Sequence, residues 1–330
     1  MARFRSLWQA SLNATKRALS WNLEDSMLPT ERLVSSFNSK DSISLQRLGS
    51  IRRYAGPFAR SKLQLDGVKD VIAVASGKGG VGKSTTAVNL AVALANKCNL
   101  KVGLLDADVY GPSVPMMMKI DRKPDITEDK KMIPIENYGV RCMSMGFLVE
   151  QDAPIVWRGP MVMSALEKMT RGVSWGKLDI LVVDMPPGTG DAQLTITQSL
   201  QLSGAVIIST PQDVALLDAR RGVKMFSKVE VPILGFIENM SCFKCPHCGE
   251  PSYIFGKGGT RKTADSMGHH FIGEIPIEVD IRTCSDNGTP IVISSPDSGV
   301  SQAYCEAAWS IVKKLEELAK GTTFQPEINL

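Results

Sequence analysis

At 330 residues and 43 % hydrophobic content, the chain is long enough to bury a large core as one α/β domain or two smaller ones. No apolar run approaches the roughly 18 residues that cross a bilayer, so no transmembrane segment is expected. The formal charge of +4 is uneven: residues 1–62 hold eleven Lys or Arg against four acids, a net of +7, which leaves −3 for the rest and argues against a nucleic-acid surface there.

The first twenty residues, MARFRSLWQASLNATKRALS, carry four basic residues and no acid, with Phe4, Leu7, Trp8, Leu12 and Leu19 near one helical face. An Arg- and Ser-rich amphipathic start without a continuous apolar centre has the pattern of an organelle transit peptide, not of a secretory signal. A disordered basic tail is the plainer alternative. Residues 1–60 are therefore set apart as a leader, with cleavage expected between Ser20 and Ser61, and residues 61–330 as the working domain.

Val71–Ala75 is a continuous apolar run, as expected of a strand covered on both faces. Gly77–Ser84 follows it and fits G-x-x-x-x-G-K-[ST], a phosphate-binding loop. Its glycines, Gly77, Gly79, Gly80 and Gly82, let successive backbone N–H groups around Val81 turn toward phosphate oxygens. Lys83 supplies a charge for the β and γ phosphates, the Ser84 hydroxyl a ligand for Mg²⁺, and a helix over Thr85–Asn96 its positive end. A merely structural glycine turn is the bland competitor.

Further strands are expected at Lys101–Asp108, Gly139–Met145, Leu178–Asp184, Ala205–Thr210, Ile233–Ile237 and His270–Ile275, with a hairpin-like excursion over residues 119–138. Helices are expected after Trp157-Arg158-Gly159-Pro160 to about Gly172, near Ala192–Leu202, over Leu216–Val229, and from about Val300 to Leu318. Strand–helix alternation implies an α/β fold whose mainly parallel sheet carries helices on both faces. Ligands then sit at the carboxyl ends of the strands, where the acidic and glycine-rich motifs all fall.

Asp184, ending an apolar strand, is placed to hold Mg²⁺ indirectly, and Gly188 to offer its N–H to the γ-phosphate. Asp106 and Asp108 end the neighbouring strand, where a carboxylate can orient or deprotonate water. A turn or cap is the usual role of one such Asp; three around one phosphate loop favour chemistry.

Seven cysteines, an odd number without a regular framework, indicate thiols or metal ligands and not disulfides. Cys245-Pro246-His247-Cys248 sets two thiolates a turn apart, and Cys242 extends it into an overlapping second C-x-x-C. A zinc knuckle competes, since His247 and Cys242 lie close, although no second separated pair is present. A redox C-x-x-C fits less well, because Gly249 and Pro251 follow where a helix is needed.

With Lys78 inside KGGVGKS, the loop resembles that of the deviant Walker-A ATPases, which include MinD, ParA and the nitrogenase iron protein. DADVYGPS at 106–113, DMPPGTGD at 184–191 and ENMSCFKCPHCG at 238–249 narrow this to a resemblance to the Mrp/NBP iron–sulfur carrier ATPases. With the basic leader, it is most similar to their mitochondrial NUBP-like (Ind-type) branch, which serves respiratory complex I assembly. The resemblance covers roughly residues 65–320. It implies a P-loop NTPase fold of the MinD-like kind and a homodimer in the mitochondrial matrix. It also implies ATP-dependent binding of a 4Fe–4S cluster and its delivery to apoproteins, complex I subunits among them. By the same resemblance Lys78 crosses to the partner's nucleotide, Asn239 reads adenine, and Cys245 and Cys248 hold the cluster. The role of Cys242 stays open. Two ligands per chain cannot hold a four-iron cluster, whereas two chains can. A MinD- or ParA-like positioning ATPase with a zinc site, and an electron-donating reductase, are the competing readings. The first leaves the cysteine pair idle, and the second uses a different cysteine arrangement.

Overall fold

The computed structural model of the chain describes residues 63–148, 159–245 and 247–322. The leader expected at 1–60 and the Trp157–Arg158 approach to a helix lie outside them.

The central strand, β1 (Val68–Ala75), is flanked by β5 (Leu178–Asp184) and β6 (Gly204–Ser209), both parallel to it. Beyond β5 come β2 (Val102–Asp106) and β4 (Val140–Ser144), again parallel. Beyond β6 lies β7 (Ile233–Lys244), which pairs in parallel with β9 (Phe271–Ile277) and, at its far end, antiparallel with β8 (Pro251–Ser252). Consecutive residues 71–75 and 180–184 are all buried, so helices cover both faces of the sheet, as a two-sided apolar run requires. The short β3 (Ile135–Asn137) closes the other edge antiparallel to β4. The hairpin-like excursion expected over 119–138 is present at residues 125–133, where Ile126 bridges Met132 antiparallel, Thr127 N donates to Lys131 O at 2.8 Å and Ile133 N to Asp125 O at 2.8 Å; β3 and β4 add a second hairpin. Tyr138 and Gly139 turn it with φ of 50° and 76°, the two positive values a two-residue hairpin loop demands.

The first helix, α1 (Lys83–Asn96), is buried from Thr86 through Leu94 on every side. It lies between the sheet and two later helices, α8 (Ile291–Ser294) and α9 (Gly299–Thr322). A helix that is apolar all round needs such a sandwich. Its polar residues are satisfied locally: Thr86 donates to Gly82 O at 2.9 Å and Asn89 to Thr85 O at 2.9 Å. Tyr304 of α9, fully buried, packs here as the helical spacing anticipated. The remaining helices are α2 (Val114–Met117), α3 (Gly159–Arg171), α4 (Asp191–Ser199), α5 (Asp213–Lys228), α6 (Gly259–Ser266) and α7 (Val279–Asp286).

Two differences from the sequence reading matter for the site. Strand β2 stops at Asp106, so Asp108 stands in a loop and not in the ladder. Strand β7 runs to Lys244, well past the expected Ile237, because β9 pairs with it beyond Asn239. The ladder slips between Asn239 and Phe243, where Met240 adopts φ 57° and Pro276 on β9 has no N–H to give. No helix among the described residues is long and apolar enough to cross a membrane.

Candidate nucleotide site and cysteine loop

The carboxyl ends of β1, β2, β5 and β7 open into one cleft of about 760 Å³, lined by Gly79, Gly80, Gly82, Lys83, Ser84, Thr85, Asp108 and Asn239 together with Lys78. Gly77 and Val81 sit beneath it. A Cβ on Gly77 would collide with the backbone of Asp218 and Ala219 in α5, so only glycine lets the loop pass under that helix. Gly82, at φ 81°, forms the N-cap of α1, and a Cβ there would strike the Asn239 amide. That amide donates to Val81 O at 2.8 Å. Asn239, reached from β7, therefore fastens the loop from outside while lining the cleft.

The charged residues divide into a working group and a supporting one. Lys83 Nζ lies 2.5 Å from Asp184 Oδ1, 3.0 Å from Ser84 Oγ and 4.0 Å from Asp108 Oδ2. Asp184 is fully buried; burial raises its pKa, with the Lys83 ammonium and the Ser84 hydroxyl acting against that rise. Its second oxygen, Oδ2, is buried with no hydrogen-bond donor among the described residues. A hard carboxylate oxygen beside the Ser84 hydroxyl is the donor set that suits Mg²⁺. Asp108, 13 % exposed in its side chain, faces the cleft, and burial raises its pKa also.

Asp106 is a different kind of residue. It accepts hydrogen bonds from the N–H groups of Asp108 (3.2 Å), Ser113 (3.1 Å) and Val114 (3.2 Å) and from Ser144 Oγ (2.9 Å). Burial, reinforced by nearby Asp184, outweighs those donors and pushes it up to about 7. Fully enclosed, it folds the 108–114 loop and touches no part of the cleft. Of these two carboxylates, Asp106 at the end of β2 and Asp108 in the loop beyond it, only Asp108 lines the cleft.

Gly188 lies in the loop after β5 with φ 92°, and its N–H donates to Ser76 O at 3.1 Å. The N–H expected to meet a γ-phosphate is thus held against the end of β1 in this structure. Lys78 is exposed and has no ion-pair partner among the described residues. Its backbone carbonyl accepts from Ser76 Oγ at 2.9 Å. The cleft also contains residues the sequence reading missed: Tyr304, Arg282 and Glu278. Tyr304 carried only a core signal, and α7 carried none.

The cysteine loop leaves the end of β7. Cys245 N donates to Glu250 O at 3.1 Å and Gly249 N to Cys245 O at 2.9 Å, which curls the loop back with Gly249 at φ 76°. The N–H groups of Cys248 and His247 and the Cys248 thiol all act on the Cys245 sulfur and lower its pKa. Backbone amides aimed at a sulfur favour the thiolate, the form that binds metal. Cys245 is half-buried and Cys248 exposed. Cys242 lies three residues back on β7 itself, partly buried. Among the described residues no group of three or more His, Cys, Asp or Glu is arranged to enclose a metal ion.

A phosphate loop between the first strand and first helix of a mainly parallel sheet, with acids on the adjoining strand ends, defines a nucleotide-binding P-loop NTPase. The chain belongs to the NUBPL iron-transfer P-loop NTPases of the ParA group, whose family model matches residues 67–312. An Arabidopsis thaliana relative, "Iron-sulfur protein required for NADH dehydrogenase, mitochondrial", is 69 % identical over 82 % of this chain and 86 % of its own length. The Dictyostelium discoideum "Iron-sulfur cluster transfer protein NUBPL" is 58 % identical over 78 % of this chain and 80 % of its own. Among solved structures, the Archaeoglobus fulgidus nucleotide-binding protein in complex with ADP is 37 % identical with a TM-score of 0.63, covering 72 % of this chain and 93 % of that one.

Proposed function

We infer that this chain is an ATP-dependent iron–sulfur cluster carrier that works as a homodimer in the mitochondrial matrix. It binds a 4Fe–4S cluster between the Cys245–Cys248 pairs of two copies and passes it to apoproteins, with respiratory complex I subunits as recipients. The observation that carries the reading is one strand: β7 contributes Asn239 to the phosphate loop and, five residues after Asn239 at Lys244, ends at the cysteine loop. The names of the Arabidopsis and Dictyostelium relatives support the cargo and the recipient. The basic leader supports the compartment.

In this reading the loop N–H groups and Lys83 bind the β and γ phosphates, and Ser84, with Asp184 behind it, would hold Mg²⁺. The cation supplies charge neutralisation on the phosphates. Asp108 orients the attacking water. Lys78, exposed on the cleft rim, reaches the partner's nucleotide, which makes hydrolysis depend on dimer closure and couples it to cluster transfer. The thiolate-favouring amides at Cys245 prepare one ligand, and the exposed Cys248 supplies the second. The two-fold axis doubles them to four, the number a four-iron cluster takes. A positioning ATPase of the MinD or ParA kind gives the cysteine loop no task.

Anaerobic reconstitution with iron and sulfide tests this directly. Absorption near 400 nm, about four irons per dimer and loss of both in Cys245→Ala/Cys248→Ala are expected on a four-cysteine cluster. Near-stoichiometric zinc in anaerobically purified protein, with no cluster after reconstitution, refutes it.

A further inference from the structure

Glu278 stands where two cavities meet. It lines the nucleotide cleft, and it also lines a smaller cleft of about 360 Å³ walled by Phe243, Lys244, Cys245 and Gly249. It is the N-cap residue of α7, yet its side chain makes no capping hydrogen bond. Among the described residues its carboxylate has no ion-pair or hydrogen-bond partner. A cation waits on either side: Arg282 in the nucleotide cleft, shared with Asp286 at 3.1 Å, and Lys244 in the cysteine cleft.

No residue of α7 is fully buried, and only Ile281 and Cys284, both partly buried, pack its short length against the core. Glu278 directly follows Ile277, which pairs with Phe243, two residues before Cys245. Just behind that pair the β7–β9 ladder is broken, with residues 240–242 of β7 facing only Pro276. The end of β9, Glu278 and the start of the cysteine loop therefore form one short unit beyond a break in the sheet. The pairing of residues 237–239 with 273–275 and the Asn239–Val81 tether lie on the other side of that break.

We propose that Glu278 is the positioning residue through which nucleotide occupancy reaches the cysteine loop. Nucleotide filling the cleft turns the carboxylate away from Arg282 and toward Lys244. A negative charge beside Cys245 then disfavours the cluster with its thiolates, which is itself an anion, so ATP binding promotes release. The direction of release rests on the carrier function inferred above; the link between the two clefts does not.

The test uses the full chain, at saturating ATP, as wild type, Glu278→Gln, Glu278→Asp and Lys244→Ala. In cluster-free protein, hydrogen exchange of residues 243–250 is read with and without ATP. In reconstituted protein, the rate of cluster loss to a chelator is read the same way. Wild type is expected to show an ATP effect of about tenfold in both, within the usual range of coupling between sites. Glu278→Gln keeps the shape and loses the charge, so its ATP effect falls toward onefold. Glu278→Asp restores part of it, which a merely structural role would not require, and Lys244→Ala weakens it. A wild-type ATP effect retained in Glu278→Gln overturns the proposal, as does absence of any ATP effect in wild type. A Glu278-dependent exchange effect in a protein that binds no cluster supports the link while refuting the carrier function.

Discussion

Replacing Gly82 by Ala tests how the phosphate loop is held. The residue sits at φ 81°, where an L side chain costs about 1–2 kcal/mol. The added methyl also strikes the Asn239 amide and displaces it from Val81 O, now 2.8 Å away. Losing that bond costs about 1 kcal/mol, rising to about 3 if Val81 O stays buried and unmatched. Gly82→Ala should therefore destabilise by about 2–5 kcal/mol, and Asn239→Ala alone by about 1–3 kcal/mol. In the double variant the collision has no target, so the Asn239 cost is incurred once and not twice. Urea unfolding of the four proteins should give a double variant less destabilised than the sum of the singles by about 1–3 kcal/mol. Additivity within about 0.5 kcal/mol would show that the tether does not bear on the loop.

Other consequences are equally open to measurement. Asp106, held up to about 7 by burial, keeps a proton that the unfolded chain releases near pH 4, so stability should fall as pH rises from about 4 to about 7 and then level off. Urea midpoints across that range should show a shallower fall in Asp106→Asn, with the remainder due to Asp108 and Asp184, whose pKa values are raised in the same direction. Lys83→Ala should abolish nucleotide binding by calorimetry and, by stranding buried Asp184, destabilise the fold by about 3–5 kcal/mol. Much of that loss should return in Lys83→Ala/Asp184→Asn. Lys78→Ala, at an exposed position, should alter stability by no more than about 0.5 kcal/mol yet weaken ATP-driven dimerisation in sedimentation runs.

The phosphate loop and its strand were legible because both signals are local: a buried strand is an apolar run, and a phosphate cradle is a glycine spacing. Asp184 was legible for the same reason, as the last residue of LVVD. What distinguishes Asp106 from Asp108 was not, because it depends on which backbone amides the 108–114 loop brings back, and that closure involves Ser144 on a different strand. The extension of β7 was hidden too. Its pairing with β9 joins distant segments, and the slip at Met240 breaks the alternation by which a strand is recognised. Helix α7 turns only Ile281 and Cys284 toward the core, too short an apolar stripe to read, although its residues line the cleft. The Gly188 contact with Ser76 is likewise a meeting of two loops that no spacing encodes.

The order of strands also sets when the site can come into being. β1 is assembled between neighbours from far along the chain, with Val68 opposite Leu178 and Ile72 opposite Gly204. Asn239, which fastens the loop, comes later still. A growing polypeptide therefore carries its glycine signature long before it can grip a phosphate, and the loop becomes competent only when β5, β6 and β7 have joined. Such high contact order makes for slow folding, on the millisecond-to-second scale or longer. ATP, which binds the completed loop alone, then acts as a thermodynamic check that assembly has reached the end of β7.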